Sequence, residues 1–179
     1  MKTTRWKVAA ALGLAALGSD AAEPPPPPPQ VPAEIVAMLR EHLGQWRTEG
    51  EIISDGEAKR ATATWECKAA VNGLGNVCTW KHEWADGSTD AALEIMGYDP
   101  VLKTMSITRV TDKGVIGTVA VTVRGNTMTV RTESKAEGRS TVVLNEVIVK
   151  SPGEWVQHAT TDVDGKRVGE MNNKHHRVK

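Results

Sequence analysis

From Trp46 to the C-terminus, apolar and polar side chains alternate with a period of two, in short runs broken by glycine, aspartate, asparagine or proline. That period is the signature of half-buried β-strands, and the breaks are turn chemistry. Ten strands are predicted: Trp46–Ile53, Arg60–Val71, Leu74–Trp84, Ala91–Met96, Leu102–Val110, Gly117–Val123, Thr127–Glu133, Thr141–Lys150, Glu154–Thr161 and Arg167–Arg177. The intervening turns include Ser54-Asp55-Gly56, Asn72-Gly73, Asp86-Gly87, Gly125-Asn126 and Asp164-Gly165. Ahead of them Ile35, Met38, Leu39 and His42 recur at three- and four-residue spacing, which predicts a helix over Ala33–Leu43 that opens after Pro32 and ends at Gly44. Short loops make neighbouring strands antiparallel. Ten strands in succession exceed what an open twisted sheet holds comfortably, so the expected class is all-β: an antiparallel up-and-down barrel of about ten strands with one short N-terminal helix. A two-sheet sandwich is the alternative.

The alternation also sorts the faces. In the hairpin centred on Asn72-Gly73 one face carries Ala63, Trp65, Cys67, Leu74, Cys78, Trp80, His82 and Trp84, and the other carries threonine, lysine and glutamate. The first is the inner face. Val119, Val121, Val123, Met128 and Val130 share a face of the later hairpin. Asn-Gly favours a two-residue turn, because both its central positions need positive φ. That turn sets Trp65 opposite Trp80 and Cys67 opposite Cys78. The two cysteines are the only ones in the chain, and a cross-strand disulfide between them is expected, with two free buried thiols as the alternative. A two-residue turn puts 67 and 78 at a hydrogen-bonded pair, with Cα atoms about 5.5 Å apart.

The first thirty residues read differently. Lys2, Arg5 and Lys7 precede an apolar run, Val8–Gly18, that is too short to span a bilayer, and Ser19-Asp20-Ala21 offers a cleavage site. Residues 1–21 are therefore expected to be a signal peptide, residues 22–32 a polyproline linker and residues 33–179 the folded domain. With no cysteine near the cleavage point, lipid anchoring there is excluded, and export to the periplasm or beyond favours the disulfide. Prolines 24–29 make an extended spacer; docking to a proline-recognition domain is the alternative. The leader carries three of the 22 basic and one of the 22 acidic side chains, leaving 19 against 21. A net charge of −2 argues against nucleic acid or an anionic membrane as a main partner. Phenylalanine is absent and tyrosine occurs once, so large aromatic volume in the domain must come from tryptophan.

Gly44-Gln45-Trp46 at the first strand matches the G-x-W of calycin barrels, the lipocalins and their relatives. With Trp65-Glu66-Cys67, Asn72–Gly75, Gly97-Tyr98-Asp99-Pro100 and a closing Arg177, the order of motifs resembles the bacterial domain-of-unknown-function family 1579 (DUF1579) over about residues 36–179. The resemblance implies a barrel of about ten strands with an interior cavity, and no catalytic residues. The absent phenylalanines and the polyproline leader depart from it.

Little else suggests chemistry. No G-x-S-x-G elbow and no phosphate-cradling glycine loop is present, and no cofactor is implied. His175 and His176 are adjacent on a strand, point to opposite faces and cannot share a metal ion; a solvated terminus accounts for them. Arg47, Arg109, Arg131 and Arg177 are expected at barrel ends. His82, between Trp80 and Trp84, is the most interesting titratable group, and His158 is placed with it on the inner face, opposite Met171. An imidazole in an aromatic-lined barrel can donate to a ligand, bind haem iron or act as an acid–base group, or be a hydrogen-bonded interior histidine without chemistry. The leading expectation is an exported barrel binding a small, partly apolar ligand through Trp65, Trp80, His82, Trp84, Val121, Met128 and His158. The alternatives are a haem-binding or enzymatic barrel of the nitrobindin kind, and an interaction protein with a filled core.

Overall fold

The computed structural model describes residues 30–54 and 56–178. The proposed signal peptide and nearly all of the polyproline segment lie outside the described residues. Helix α1 (Ala33–Glu41) is followed by ten strands: β1 (Gly44–Ser54), β2 (Glu57–Ala70), β3 (Gly75–Trp84), β4 (Thr89–Asp99), β5 (Thr104–Thr111), β6 (Ile116–Arg124), β7 (Thr127–Ala136), β8 (Arg139–Ser151), β9 (Glu154–Val163) and β10 (Lys166–Arg177). Each strand pairs antiparallel with its neighbours in sequence, and β10 returns to β1, so the sheet closes into an up-and-down barrel. Closure removes the sheet edges that a sandwich would leave.

Helix α1 plugs one end. Ile35, Met38 and Leu39 are buried against the barrel floor. The Asn76 side-chain amide donates to the Leu39 carbonyl (2.6 Å), and the Trp46 indole N–H donates to the His42 carbonyl (3.0 Å). Gly44, at a φ of +108°, turns the chain out of the helix into β1. Arg177 closes the same end from β10: its guanidinium lies 4.9 Å from the Trp46 ring centroid and donates to the Glu41 carbonyl (2.7 Å) and carboxylate (3.0 Å). Trp46, Trp65, Met105, Val121, Met128 and Trp155 complete the core above the helix. Tryptophan fills the volume that phenylalanine takes in other cores.

The cysteine hairpin keeps the predicted register but not the predicted turn. Trp65 lies opposite Trp80 and Cys67 opposite Cys78, and the disulfide is present. The connection is a four-residue loop, Val71–Leu74, because the ladder stops at Ala70–Gly75. A loop longer by one residue on each side inverts the alternation of hydrogen-bonded and open pairs. The Cα atoms of Cys67 and Cys78 are 4.0 Å apart, nearer the spacing of an open pair, about 4.5 Å, than that of a hydrogen-bonded one. Leu74, expected on the inner face, is instead an exposed loop residue.

Candidate functional site

Above the floor the barrel encloses a cavity of about 370 Å³. Trp65, Trp80, Trp84 and Trp155 line it, and Trp46 is buried in the core behind Trp65. Trp46, Trp65 and Trp80 are cross-strand neighbours on β1, β2 and β3. Their rings stack, with centroids 4.8 Å apart and planes at 1° for Trp46–Trp65, and 4.6 Å and 17° for Trp65–Trp80. His82, two residues along β3, continues the stack at 5.9 Å and 11° from Trp80. Such pairs add about 0.5–1.5 kcal/mol each beyond burial, so this wall is rigid. Trp155 tilts against Trp46 at 4.4 Å, and His42 meets its edge at 4.3 Å. Trp155 Nε1 is buried and has no hydrogen-bond partner among the described residues.

A polar strip faces that wall from β8, β9, β10 and β1. The Trp65 indole N–H donates to Thr48 Oγ1 (3.1 Å), and Thr48 meets His175 Nδ1 at 2.7 Å. His175 Nε2 lies 3.2 Å from Gln157 Oε1, which also accepts from Asn173 (2.9 Å), while Gln157 Nε2 donates to Asn145 Oδ1 (3.1 Å). Because an amide oxygen can only accept, His175 carries its proton on Nε2 and accepts from the Thr48 hydroxyl at Nδ1. Burial lowers the His175 pKa from 6.5 to about 4, helped by the neighbouring charges of His42 and His176. Burial likewise lowers His42 to about 4, against the opposing hydrogen bond to the Met38 carbonyl. Both imidazoles are neutral at pH 7, and both ring nitrogens of His175 are engaged.

A third group lies toward the end opposite α1. The Trp80 indole N–H donates to Glu94 Oε2 (2.7 Å), and the Arg109 guanidinium lies 3.4 Å from Glu94 Oε1. Desolvation raises the Glu94 pKa, with Arg109 and the Trp80 hydrogen bond opposing it. His82 Nδ1 donates to Asp90 Oδ1 (2.8 Å), and the Trp84 indole N–H donates to Asp90 Oδ2 (2.7 Å). Partial desolvation pushes the Asp90 carboxyl up, but the hydrogen bond from Trp84 and the His82 contacts outweigh it and leave the pKa lowered. A carboxylate bonded to Nδ1 fixes the imidazole's orientation and leaves Nε2 as the acceptor of the neutral ring.

Of the residues singled out in the sequence, Trp65, Trp80, His82, Trp84, Val121 and Met128 all line the cavity. His158 does not. It pairs with Asn172, not Met171, because an irregularity between Arg167 and Gly169 shifts the β9–β10 register by one. Trp155 and Gln157 turn inward on β9, so His158 faces out and bonds Asn172 Oδ1 at 2.8 Å. Arg109, expected at a barrel end, points inward to Glu94. His175, assigned to a solvated terminus, is 3% exposed. Trp155, Gln157, Asn145, Glu94 and Asp90 also line the cavity and were not singled out as site residues. Each depends on which parity of its strand faces in.

The fold is similar to that of the S-type phycobiliprotein lyase CPES from Guillardia theta (TM-score 0.56, 9% identity, covering 84% of this chain and 99% of that one). It is also similar to Rv2717c from M. tuberculosis (TM-score 0.58, 11% identity, covering 84% and 100%). The shared fold is the closed ten-stranded antiparallel barrel. No family model matches it, and no curated protein matches its sequence. At these identities the likeness is one of fold.

Proposed function

We propose that this chain is an exported carrier barrel that binds a small, partly apolar ligand in the cavity, and that it is a relative of family 1579, a resemblance that implies such a cavity. The observation that carries the reading is a cavity of about 370 Å³ bounded by stacked tryptophans on one side and an amide–imidazole strip on the other. Ligand pockets start at about 300 Å³ and combine apolar walls with a few placed polar groups. The partnerless Trp155 Nε1 adds a specific demand. A buried donor without an acceptor costs about 1–3 kcal/mol, and a ligand carbonyl or carboxylate oxygen would recover it. The leader sequence and the disulfide support export.

Tryptophan emission, titrated with fatty acids and aromatic carboxylic acids, tests the reading. Wild type should respond to at least one class. Trp155→Phe keeps a ring but removes the donor, and should weaken that ligand about fivefold, the value of one hydrogen bond. No response across the panel, together with no retained ligand in native mass spectrometry of protein from its own envelope, would sink it.

A second reading rests on the His82–Asp90 pair. An imidazole oriented by a carboxylate beside a cavity is the arrangement of a general base, and of an imidazole that holds haem. With His158 outside and His175 bonded at both nitrogens, His82 is the residue of the three that suits either role. His82→Ala then abolishes turnover or haem uptake, whereas a carrier loses only part of its affinity.

A further inference from the structure

The barrel is not zipped equally all round. The β6–β7 ladder starts at Arg124–Thr127, passes Val123–Met128 and ends at Thr122–Thr129. Both strands continue past that point. β6 stays paired to β5 through Val110–Ile116, and β7 to β8 through Ala136–Arg139. Among the described residues no pairing joins the rest of β6 to the rest of β7. From mid-height to the end opposite α1 the wall therefore has a seam, flanked by two strand edges whose facing N–H and C=O groups have no strand partner. Elsewhere the wall is continuous.

The cavity reaches this seam, since Val121 of β6 and Met128 and Val130 of β7 line it. Alternation puts Gly117 and Val119 on the inner side of β6 and Thr132 on that of β7, and these side chains are too small to bridge the gap. Gly117 is exposed although alternation turns it inward. The other approach, past His82, Asp90, Glu94 and Arg109, is charged. An apolar group entering there must strip water from those groups, which costs several kcal/mol. Along the seam it meets valine and glycine.

We propose that the β6–β7 seam is a lateral portal, through which an amphiphile with a flexible hydrocarbon tail enters, its polar head going ahead to the strip and its tail lying across Val119, Val121 and Val130. This rests on the ligand-binding reading and narrows it to a ligand class. Ala120→Cys with Arg131→Cys places thiols on the outer face at positions that would oppose each other if the ladder continued. They react selectively, because the native cysteines are bonded to each other. A short bismaleimide then staples the seam. The probe is 11-(dansylamino)undecanoic acid in stopped flow. Stapling should slow its association about tenfold or more relative to the same variant capped with N-ethylmaleimide. Hydrogen exchange of the unstapled wild type should show residues 117–121 and 130–135 opening before β9 and β10. Equal association of stapled and capped protein, or equal protection of all strands, overturns the portal while leaving the binding reading intact. A wild type that takes up no amphiphile overturns the assigned class, and one that takes up nothing from the wider panel overturns the binding reading itself.

Discussion

His42 and His175 are the two side chains whose protonation the fold resists most. Each has a pKa near 4 where the unfolded chain has about 6.5, because burial penalises the cation. Between those values the unfolded state binds protons that the native state does not, so stability falls as pH drops below 6.5 and stops falling from this cause near pH 4. With both histidines contributing, the slope reaches at most about 2.7 kcal/mol per pH unit. Glu94 acts in the opposite sense, since its raised pKa lets the native state hold a proton that the unfolded state has lost. Urea unfolding at pH 7, 6 and 5 should show the midpoint falling steadily. His175→Gln should flatten the dependence, and an unchanged midpoint from pH 7 to 5 would contradict the assignment.

Among the elements, the β2–β3 hairpin carries the most information. It supplies half of the aromatic wall, and the Cys67–Cys78 bond ties its two strands. The crosslink spans eleven residues; a loop of that length lowers unfolded-chain entropy enough to stabilise by about 2–3 kcal/mol. Replacing both cysteines with alanine should lower the urea midpoint accordingly, and thiol titration of the unreduced, unfolded protein should find no free thiol. Two reactive thiols would refute the bond. Helix α1 is the other element with a clear role. Its three buried side chains and the Arg177 clamp cover Trp46, so Arg177→Ala should expose that ring. The expected readout is a red shift of tryptophan emission and a loss of about 1–2 kcal/mol, from the cation–π contact and the charged hydrogen bonds.

For the whole molecule, the barrel combines a sealed floor, a tryptophan wall and a wall whose β6–β7 pairing ends at Thr122–Thr129. The floor contributes both stability and the lower limit of the cavity. Deleting residues 1–43 removes Ile35, Met38 and Leu39 from the core, worth at most about 9 kcal/mol at 1.5–3 kcal/mol per buried side chain. The shortened chain should keep its β signal in circular dichroism but unfold at a markedly lower urea concentration, and any bound probe should leave faster through the open floor. An unchanged midpoint would mean that the helix is not part of the folding unit.

By itself the sequence determined the strand number, the barrel class, the helix and the register of the cysteine hairpin. These follow from local causes: a period of two, glycine and aspartate where turns need them, and an apolar spacing of three and four before Pro32 gives way to Gly44. The same locality placed Trp65, Trp80, His82 and Trp84 together, because they share one strand pair. Only the tertiary structure decided the rest of the site. β8, β9 and β10 carry polar residues on both faces, so alternation cannot say which face is inside: Trp155 and Gln157 turn in on β9, which leaves His158 out, and the irregularity near Val168 resets the register of β10 beyond it. Arg109 and Glu94 became interior partners because the β4–β5 register sets them opposite each other and β4 lies beside the strand of Trp80. The early end of the β6–β7 ladder was not read from the sequence either; β7 is polar on both faces from Arg131 to Lys135, so it offers no apolar side chain there to hold against β6.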